Sequence, residues 1–374
     1  MQIQKIKDVV QETKAELFAY QTGKKKIIKT NRPYLDNVFP VVNGTVITVS
    51  AQSGVGKSTE MMRIVNNVMD KNINPTAGNF VSLIVSLEMR VLNIILRGLN
   101  THTKKKKSKI LSEEFTEEEL ILAKEYFKTL EDERNYISQV PTTPNKFFEA
   151  CKEFLEQHKD KETCLIAYDH LALTNSDKGE GRNTIIENLI ERINDLKMMY
   201  KNVIFVLVSQ TNSELGNRAK DKDIMSQPRA SDLYYSQFTF QVSDYVVVIN
   251  NPLKNGIKEY SKILPNRYPD LQKYFLEEDS KGRVSLETYG VLYYHLLKCR
   301  EADEGIFVDI YAEDLNISGL EEKRTEIKKE KITTPTFPSQ KLTPIKDLPP
   351  LPTTSLHDAF GQSFEDDKKL DEPF

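Results

Sequence analysis

The run Ala51-Gln52-Ser53-Gly54-Val55-Gly56-Lys57-Ser58 constrains this chain more than any other stretch, because its surroundings fit a strand, a loop and a helix in that order. Before it, Thr45-Val46-Ile47-Thr48-Val49 is a β-branched run of the kind that makes a parallel strand covered on both faces. After it, Met61, Met62, Ile64, Val65, Val68 and Met69 recur at helical spacing. Gly54 and Gly56 let the backbone curl so that its N–H groups point inward at phosphate oxygens, and the helix adds the positive end of its dipole. In such a loop Lys57 reaches the terminal phosphates and the Ser58 hydroxyl meets Mg2+. Ser53, Gly54, Val55, Gly56, Lys57, Ser58 and Thr59 are therefore the expected nucleotide-binding residues. Ala51 stands where the usual pattern has its first glycine.

The 374 residues suffice for one large α/β domain with tails. A net charge of -3 carries no global signature of nucleic-acid binding, so a basic binding surface has to be local. Cys151, Cys164 and Cys299 fall at unrelated spacings in apolar or helical stretches, which suits a reducing compartment rather than a disulfide framework. The five histidines show no metal-pair spacing. The N-terminus lacks a signal-peptide core, and no segment approaches the roughly 18 uninterrupted apolar residues of a membrane span. A soluble, cytoplasmic protein with no membrane partner is expected.

Ile3, Ile6, Val9, Val10, Leu17 and Phe18 make one apolar stripe on a charged amphipathic helix within residues 1–29. The stripe packs either on its own domain or on a neighbouring subunit. The core is expected over 30–315, with strands at 80–86, 163–168, 203–209, 245–249 and 291–297 in addition to the run before the loop. Strands and helices alternate, which implies a mainly parallel sheet with right-handed crossovers. The basic segment 104–109 reads as a solvated, disordered loop before an acidic helix at 113–125, with nucleic-acid contact as the other reading. From Thr333 onward the chain is rich in Pro, Thr and Lys and reads as unstructured, so 316–374 is expected to be a disordered tail with an acidic, Phe-bearing tip.

A phosphate loop alone leaves kinases, GTPases, transporters and motors open. Leu83-Ile84-Val85-Ser86-Leu87-Glu88 ends a strand with a carboxylate, and in a parallel sheet such ends share the rim that holds the phosphates. Glu88 is thus placed to orient or deprotonate a water attacking the γ-phosphate, the alternative being a surface residue that opens a helix. Cys164-Leu165-Ile166-Ala167-Tyr168-Asp169 likewise ends in an acid, the position from which Asp169 would hold Mg2+ through its water shell. His170 beside it reads as a packing residue of the rim. Val208-Ser209-Gln210 ends in an amide suited to sensing the γ-phosphate, or merely facing solvent.

These motifs carry a family resemblance. Ser86-Leu87-Glu88-Met89, the acid-ended strand at Asp169 followed by Leu171 and Leu173, Ser209-Gln210-Thr211-Asn212, and Ser231-Asp232-Leu233 with Gln241 and Asp244 resemble, in order and spacing, the motifs of the DnaB-like replicative helicases. The resemblance implies a RecA-like P-loop NTPase core in a hexameric motor, and in that family the loop commonly begins with alanine, as at Ala51. It also implies that, within Lys298-Cys299-Arg300, Arg300 is an arginine finger entering a neighbouring subunit's site with Lys298 as its γ-phosphate partner. Taken without the family, Lys298 and Arg300 are alternate strand residues on one solvated face. A strand returning at 306–308 would close a C-terminal β-hairpin. The resemblance does not extend to the family's N-terminal scaffold and primase domains, so a compact form of the kind a phage or plasmid in a bacterial host encodes is expected. Where the family carries Arg-Glu-Ser-Gly near DNA, this chain has Tyr234-Tyr235-Ser236-Gln237.

The expected activity is that of an ATP-dependent (or other NTP-dependent), Mg2+-requiring replicative DNA helicase, a homo-hexameric ring that moves on single-stranded DNA and unwinds duplex. The alternative is a RecA-like, DNA-dependent ATPase acting in recombination or helicase loading without unwinding. Candidate DNA contacts are Lys178, Arg182, Arg218, Lys220, Lys222 and Arg229. The tip ending Asp371-Glu372-Pro373-Phe374 resembles the C-terminal peptide of bacterial single-stranded-DNA-binding proteins, which implies recruitment of replication proteins, against a plain solubilising tail.

Overall fold

Strands that are apolar at every position rather than at alternate ones need cover on both faces, and that requirement organises this chain. The computed structural model describes residues 5–25, 27–38, 40–220, 228–234, 236–251, 290–301 and 305–311. Its strands are β1 (Val46–Ala51), β2 (Phe80–Ser86), β3 (Asn135–Ser138), β4 (Thr163–Asp169), β5 (Val203–Gln210), β6 (Tyr245–Asn250), β7 (Gly290–Cys299) and β8 (Gly305–Tyr311). They form one eight-stranded sheet in the order β3-β2-β4-β5-β1-β6-β7-β8. All neighbours from β3 to β6 run parallel, whereas β7 is antiparallel to both β6 and β8. The mainly parallel α/β sheet with a C-terminal hairpin is thus observed. β3 is the strand that periodicity misses, because its four residues sit at the sheet edge with Asn135, Tyr136 and Ile137 exposed.

The helices are α1 (Ile6–Gln21), α2 (Pro33–Asp36), α3 (Lys57–Met69), α4 (Val91–Thr103), α5 (Lys107–Ser112), α6 (Glu117–Leu130), α7 (Pro144–Gln157), α8 (Arg182–Met199), α9 (Glu214–Lys220) and α10 (Ser236–Val242). On one face of the sheet, Met61, Ile64, Val65 and Val68 of α3 join Ile47, Val49, Ala167 and Val206 in one core. On the other, Phe147 and Leu155 of α7 with Ile186, Leu189 and Ile193 of α8 join Ile166, Phe205 and Leu207. Among the described residues no helix is long and apolar enough to cross a membrane. Cys151, Cys164 and Cys299 are buried free thiols.

Two expectations are corrected. Segment 104–109 is only in part a solvated loop: Lys104, Lys106, Lys107 and Lys109 are exposed, but α5 begins at Lys107, and Lys105 is buried with its ammonium donating to the Glu114 carbonyl at 2.6 Å and to Glu119 at 2.9 Å. Neighbouring Lys107 bonds Asn93 and Lys109 pairs with Glu113, so part of this charge is engaged locally. The acidic helix starts at Glu117 instead of 113, because Thr116 and Glu119 form a capping box there. On α1, Ile6, Val9, Val10, Leu17 and Phe18 are exposed, so the stripe is not covered by the described residues of its own chain. The chain divides into units Met1–Arg324 and Thr325–Phe374; every described residue belongs to the first, and the tail and its tip lie outside the described residues.

α2, α3 and β7 meet at a buried carboxylate. Glu60, only 1% exposed on its side chain, pairs with Arg32 and with Arg63, and accepts hydrogen bonds from Tyr34 and Tyr294. The two tyrosine rings stack with centroids 5.0 Å apart. Removing one partner of such a buried pair costs about 3–5 kcal/mol, so this cluster pins the segment before the sheet, the phosphate-loop helix and β7 together.

Also on β7, burial pushes the His295 imidazole down to about 3 from its ordinary 6.5. The native state keeps it neutral while the unfolded chain protonates, so stability falls as pH drops from about 6.5 toward 3. Between about pH 7.5 and pH 5.5 this group alone removes roughly 1 kcal/mol. Urea titrations at both pH values are expected to show that loss in the wild type and a smaller one in His295→Phe.

Candidate active site

The turn between β1 and α3 is left-handed where its glycines stand, with φ of 72° at Gly54 and 104° at Gly56. Gly56 is the residue that caps α3, and a side chain there would be strained even though the space around it is open. Val55 anchors the loop in the core at 1% exposure, while Ser53 and Gly54 remain exposed and Thr59 is half-buried. Lys57 and Ser58 open the helix and are buried at 7% and 9% exposure. A helix that opens directly after the loop leaves its first N–H groups without carbonyl partners inside the helix, and such an N-terminus is suited to receive phosphate.

Parallel register brings three more of the expected residues to this rim. Ala51 pairs with Gln210, and Ser86 pairs with Asp169. Leu87 donates its N–H to the Asp169 carbonyl at 2.6 Å, tying the ends of β2 and β4 together. A tight turn follows, in which the Ser86 hydroxyl bonds the Met89 carbonyl at 3.0 Å, and this turn carries Glu88 out into an exposed position. The Glu88 carboxylate lies 3.6 Å from Nε2 of His170. The Asp169–His170 peptide bond is cis.

Asp169 is 1% exposed, and burial holds its carboxyl above the usual range, offset by a hydrogen bond from Ser58 and raised further by the Glu88 charge. Its Oδ1 has no hydrogen-bond partner. An orphaned buried carboxylate oxygen beside a serine hydroxyl and a phosphate loop fits Mg2+, which takes few protein ligands and keeps several waters. Among the described residues no group of three or more His, Cys, Asp or Glu side chains could form a cage of its own. A cleft between α3 and α4 opens on the same carboxylate and is lined by Ser58, Met61, Met89, Arg97 and Tyr126.

Lys298 and Arg300 are not brought to this rim. β7 runs antiparallel, so its C-terminal end meets the N-terminal ends of β6 and β1: Cys299 pairs with Tyr245, and Arg300 donates its N–H to the Asp244 carbonyl at 3.0 Å. Asp244 in turn donates to the Val46 carbonyl, five residues upstream of Ala51. At about 3.3 Å per residue the separation along β1 is roughly 16 Å. Arg300 pairs with Asp244 at 3.2 Å, and Lys298 donates to the carbonyls of Phe240 and Gln241 at the end of α10. Burial and the Arg300 charge lower the Lys298 ammonium from its ordinary value. Asp244 also pairs with Lys197 and accepts from the Val46 N–H, each at 2.8 Å.

The loops that carry the candidate DNA contacts leave the same rim as the phosphate loop, one after β4 and one after β5. Lys178 is exposed; Arg182 opens α8 and bonds the Thr174 carbonyl. Arg229 is exposed just before the turn at Ala230–Asp232. Arg218 and Lys220 lie on α9, with side chains outside the description, and Lys222 and Tyr235 lie outside the described residues. Tyr234 is 44% exposed and donates its N–H to the Gln210 carbonyl at 2.7 Å, so the segment is bonded directly to the end of β5. Sequence reasoning missed the contact of His170 with Glu88, for which adjacency to the acid-ended strand is the only signal. It also missed the Asp244 hub, which rests on pairing between residues far apart in the chain.

Residues 28–268 match the family model described as the DnaB-like helicase C terminal domain. The fold is similar to the ATPase domain of G40P, at a TM-score of 0.63 and 14% identity, over 84% of this chain and 98% of that one. It is also similar to a DnaB-like replicative helicase whose structure was described with its interactions with primase. That match has a TM-score of 0.57 and 14% identity, over 84% of this chain and 66% of that one. Identities this low bear on the fold alone. No curated protein sequence matches.

Proposed function

The chain belongs to the DnaB-like helicase C-terminal domain family, and from that premise we propose that it is a ring-forming, ATP-dependent motor that translocates on single-stranded DNA and unwinds duplex during replication. The observation that carries this reading is the division of the expected site between opposite rims of one sheet. Lys57, Ser58, Glu88, Asp169 and Gln210 cluster at one rim, and Arg300 lies roughly 16 Å away along β1 at the other. A site split in this way is complete only where the loop rim of one subunit meets the finger rim of the next, in a head-to-tail contact that closes into a homo-hexamer.

In this reading the loop N–H groups and Lys57 hold the β- and γ-phosphates, and Glu88 orients the attacking water and takes its proton. Gln210 senses the γ-phosphate, while Arg300 and Lys298 of the neighbour neutralise charge on the transferring group. Ser58 and, through water, Asp169 would hold Mg2+, whose charge would offset that of the phosphates. Gln210 is bonded through its carbonyl to Tyr234, which supports a direct link from the γ-phosphate to a DNA-contacting segment that includes Arg229. Lys178, Arg182, Arg218 and Lys220 are the further proposed phosphate contacts. We assign 1–29 as a linker helix, 30–315 as the motor and 316–374 as a tail that recruits replication proteins, in a cytoplasmic protein.

The test is strand separation on a forked DNA with ATP and Mg2+. Displacement that depends on ATP supports the motor. ATP turnover stimulated by single strands without displacement points instead to a DNA-dependent ATPase of recombination or helicase loading, the reading that Tyr234 in place of the family's arginine favours.

A further inference from the structure

We propose that His170 is a positioning residue for hydrolysis: its imidazole donates from Nε2 to the Glu88 carboxylate and aims that base at the attacking water. The inference rests on the role proposed for Glu88 and adds a residue that the motif does not assign.

The tautomer follows from the hydrogen bonding of the ring. Nδ1 of His170 accepts the N–H of Ala172 at 3.2 Å. A ring nitrogen that accepts a backbone N–H carries no proton, so in the neutral ring the proton sits on Nε2. That nitrogen is the one facing Glu88, 3.6 Å from Oε2. The separation is slightly longer than a hydrogen bond, and catalytic contacts commonly tighten only when substrate is bound.

The two partners differ in freedom. The His170 side chain is 9% exposed and fixed by the Ala172 bond within a turn, where Leu173 donates its N–H back to the His170 carbonyl at 3.1 Å. The Glu88 side chain is 45% exposed and reaches out from the Ser86–Met89 turn. A rigid donor beside a mobile carboxylate restricts the carboxylate, which otherwise samples several rotamers in solvent. Positioning of this sort acts on the chemical step, since a base held in line with its water lowers the barrier without changing how ATP binds.

The test is a double-mutant cycle on ATP turnover of the full chain with Mg2+ and single-stranded DNA. His170→Phe is expected to lower kcat about tenfold with KM for ATP unchanged, and Glu88→Gln to lower it further. The double variant is expected to match Glu88→Gln alone, because His170 acts only through that carboxylate. His170→Gln, whose amide nitrogen takes the place of Nε2, is expected to recover most of the rate, and His170→Asn, whose amide lies where Nδ1 was, is not. Wild-type kcat in His170→Phe overturns the proposal, as does a double variant slower than Glu88→Gln by the factor seen for His170→Phe alone. If His170→Phe no longer binds a fluorescent ATP analogue, the comparison of His170→Gln with His170→Asn decides, and equal rates for those two overturn the proposal. Full turnover in Glu88→Gln removes the base assignment and this inference with it. A wild-type chain that hydrolyses no nucleotide removes the proposed function as a whole.

Discussion

Arg300→Ala is expected to lower DNA-stimulated ATP turnover by about 10³-fold or more while ATP binding stays intact, since a finger of this type contributes 10³ to 10⁵ in rate. The magnitude comes from neutralising charge that develops on the transferring group in the transition state. In the proposed ring, location decides whose charge it would neutralise. Arg300 sits at the level of Val46, roughly 16 Å along β1 from Ala51, so it cannot serve its own chain's nucleotide. Mixing Arg300→Ala chains with Lys57→Ala chains is therefore expected to restore part of the turnover, because some interfaces join an intact loop to an intact finger. Activity that stays lost across all mixing ratios would contradict a shared site. Within one chain Arg300 is held by Asp244 and by the Gln241 carbonyl, and engaging a neighbour's phosphate requires it to exchange those partners.

Asp169→Asn is expected to lower turnover by about 10²-fold or more and to raise the Mg2+ concentration needed for half-maximal rate, because in the proposed site Asp169 would supply the carboxylate that holds the cation. The same change is expected to leave the melting temperature of the nucleotide-free protein equal or higher. Asp169 is a buried carboxylate whose Oδ1 has no partner, and burial holds its carboxyl above the usual range. An amide of the same shape avoids the cost of desolvating a charge. Loss of activity with gained or equal stability distinguishes a residue kept for ligand binding from one kept for folding. A variant that both unfolds easily and turns over normally would reverse the assignment. Thermal melts and Mg2+ titrations read the two effects separately.

Much of the core was legible because its signals are local. The phosphate loop is a contiguous run, and β1, β2, β4, β5, β6 and β7 are apolar at nearly every position, which only strands buried on both faces require. Other elements escaped for identifiable reasons. β3 is four residues long with an exposed outer side, so neither period nor apolar run marks it. The lysines at 104–109 look like a solvated run in sequence, yet Lys105 is drawn inside by the Glu114 carbonyl and the Glu119 carboxylate, partners set by how the helices pack. His170 reads as packing because nothing in its neighbourhood names Glu88, eighty-two residues earlier, as the group it faces.

The sequence by itself determined the chemistry at each strand end: an amine and a hydroxyl after β1, carboxylates after β2 and β4, an amide ending β5, and cations closing β7. Strand direction decided where those groups stand, and only the tertiary structure contains it. Parallel pairing from β2 through β5 and β1 collects Glu88, Asp169, Gln210 and Lys57 on one rim. The antiparallel turn of β7 against β6 sends Lys298 and Arg300 to the other. Hydrogen-bond geometry between strands far apart in the chain sets that direction, and no residue type encodes it alone.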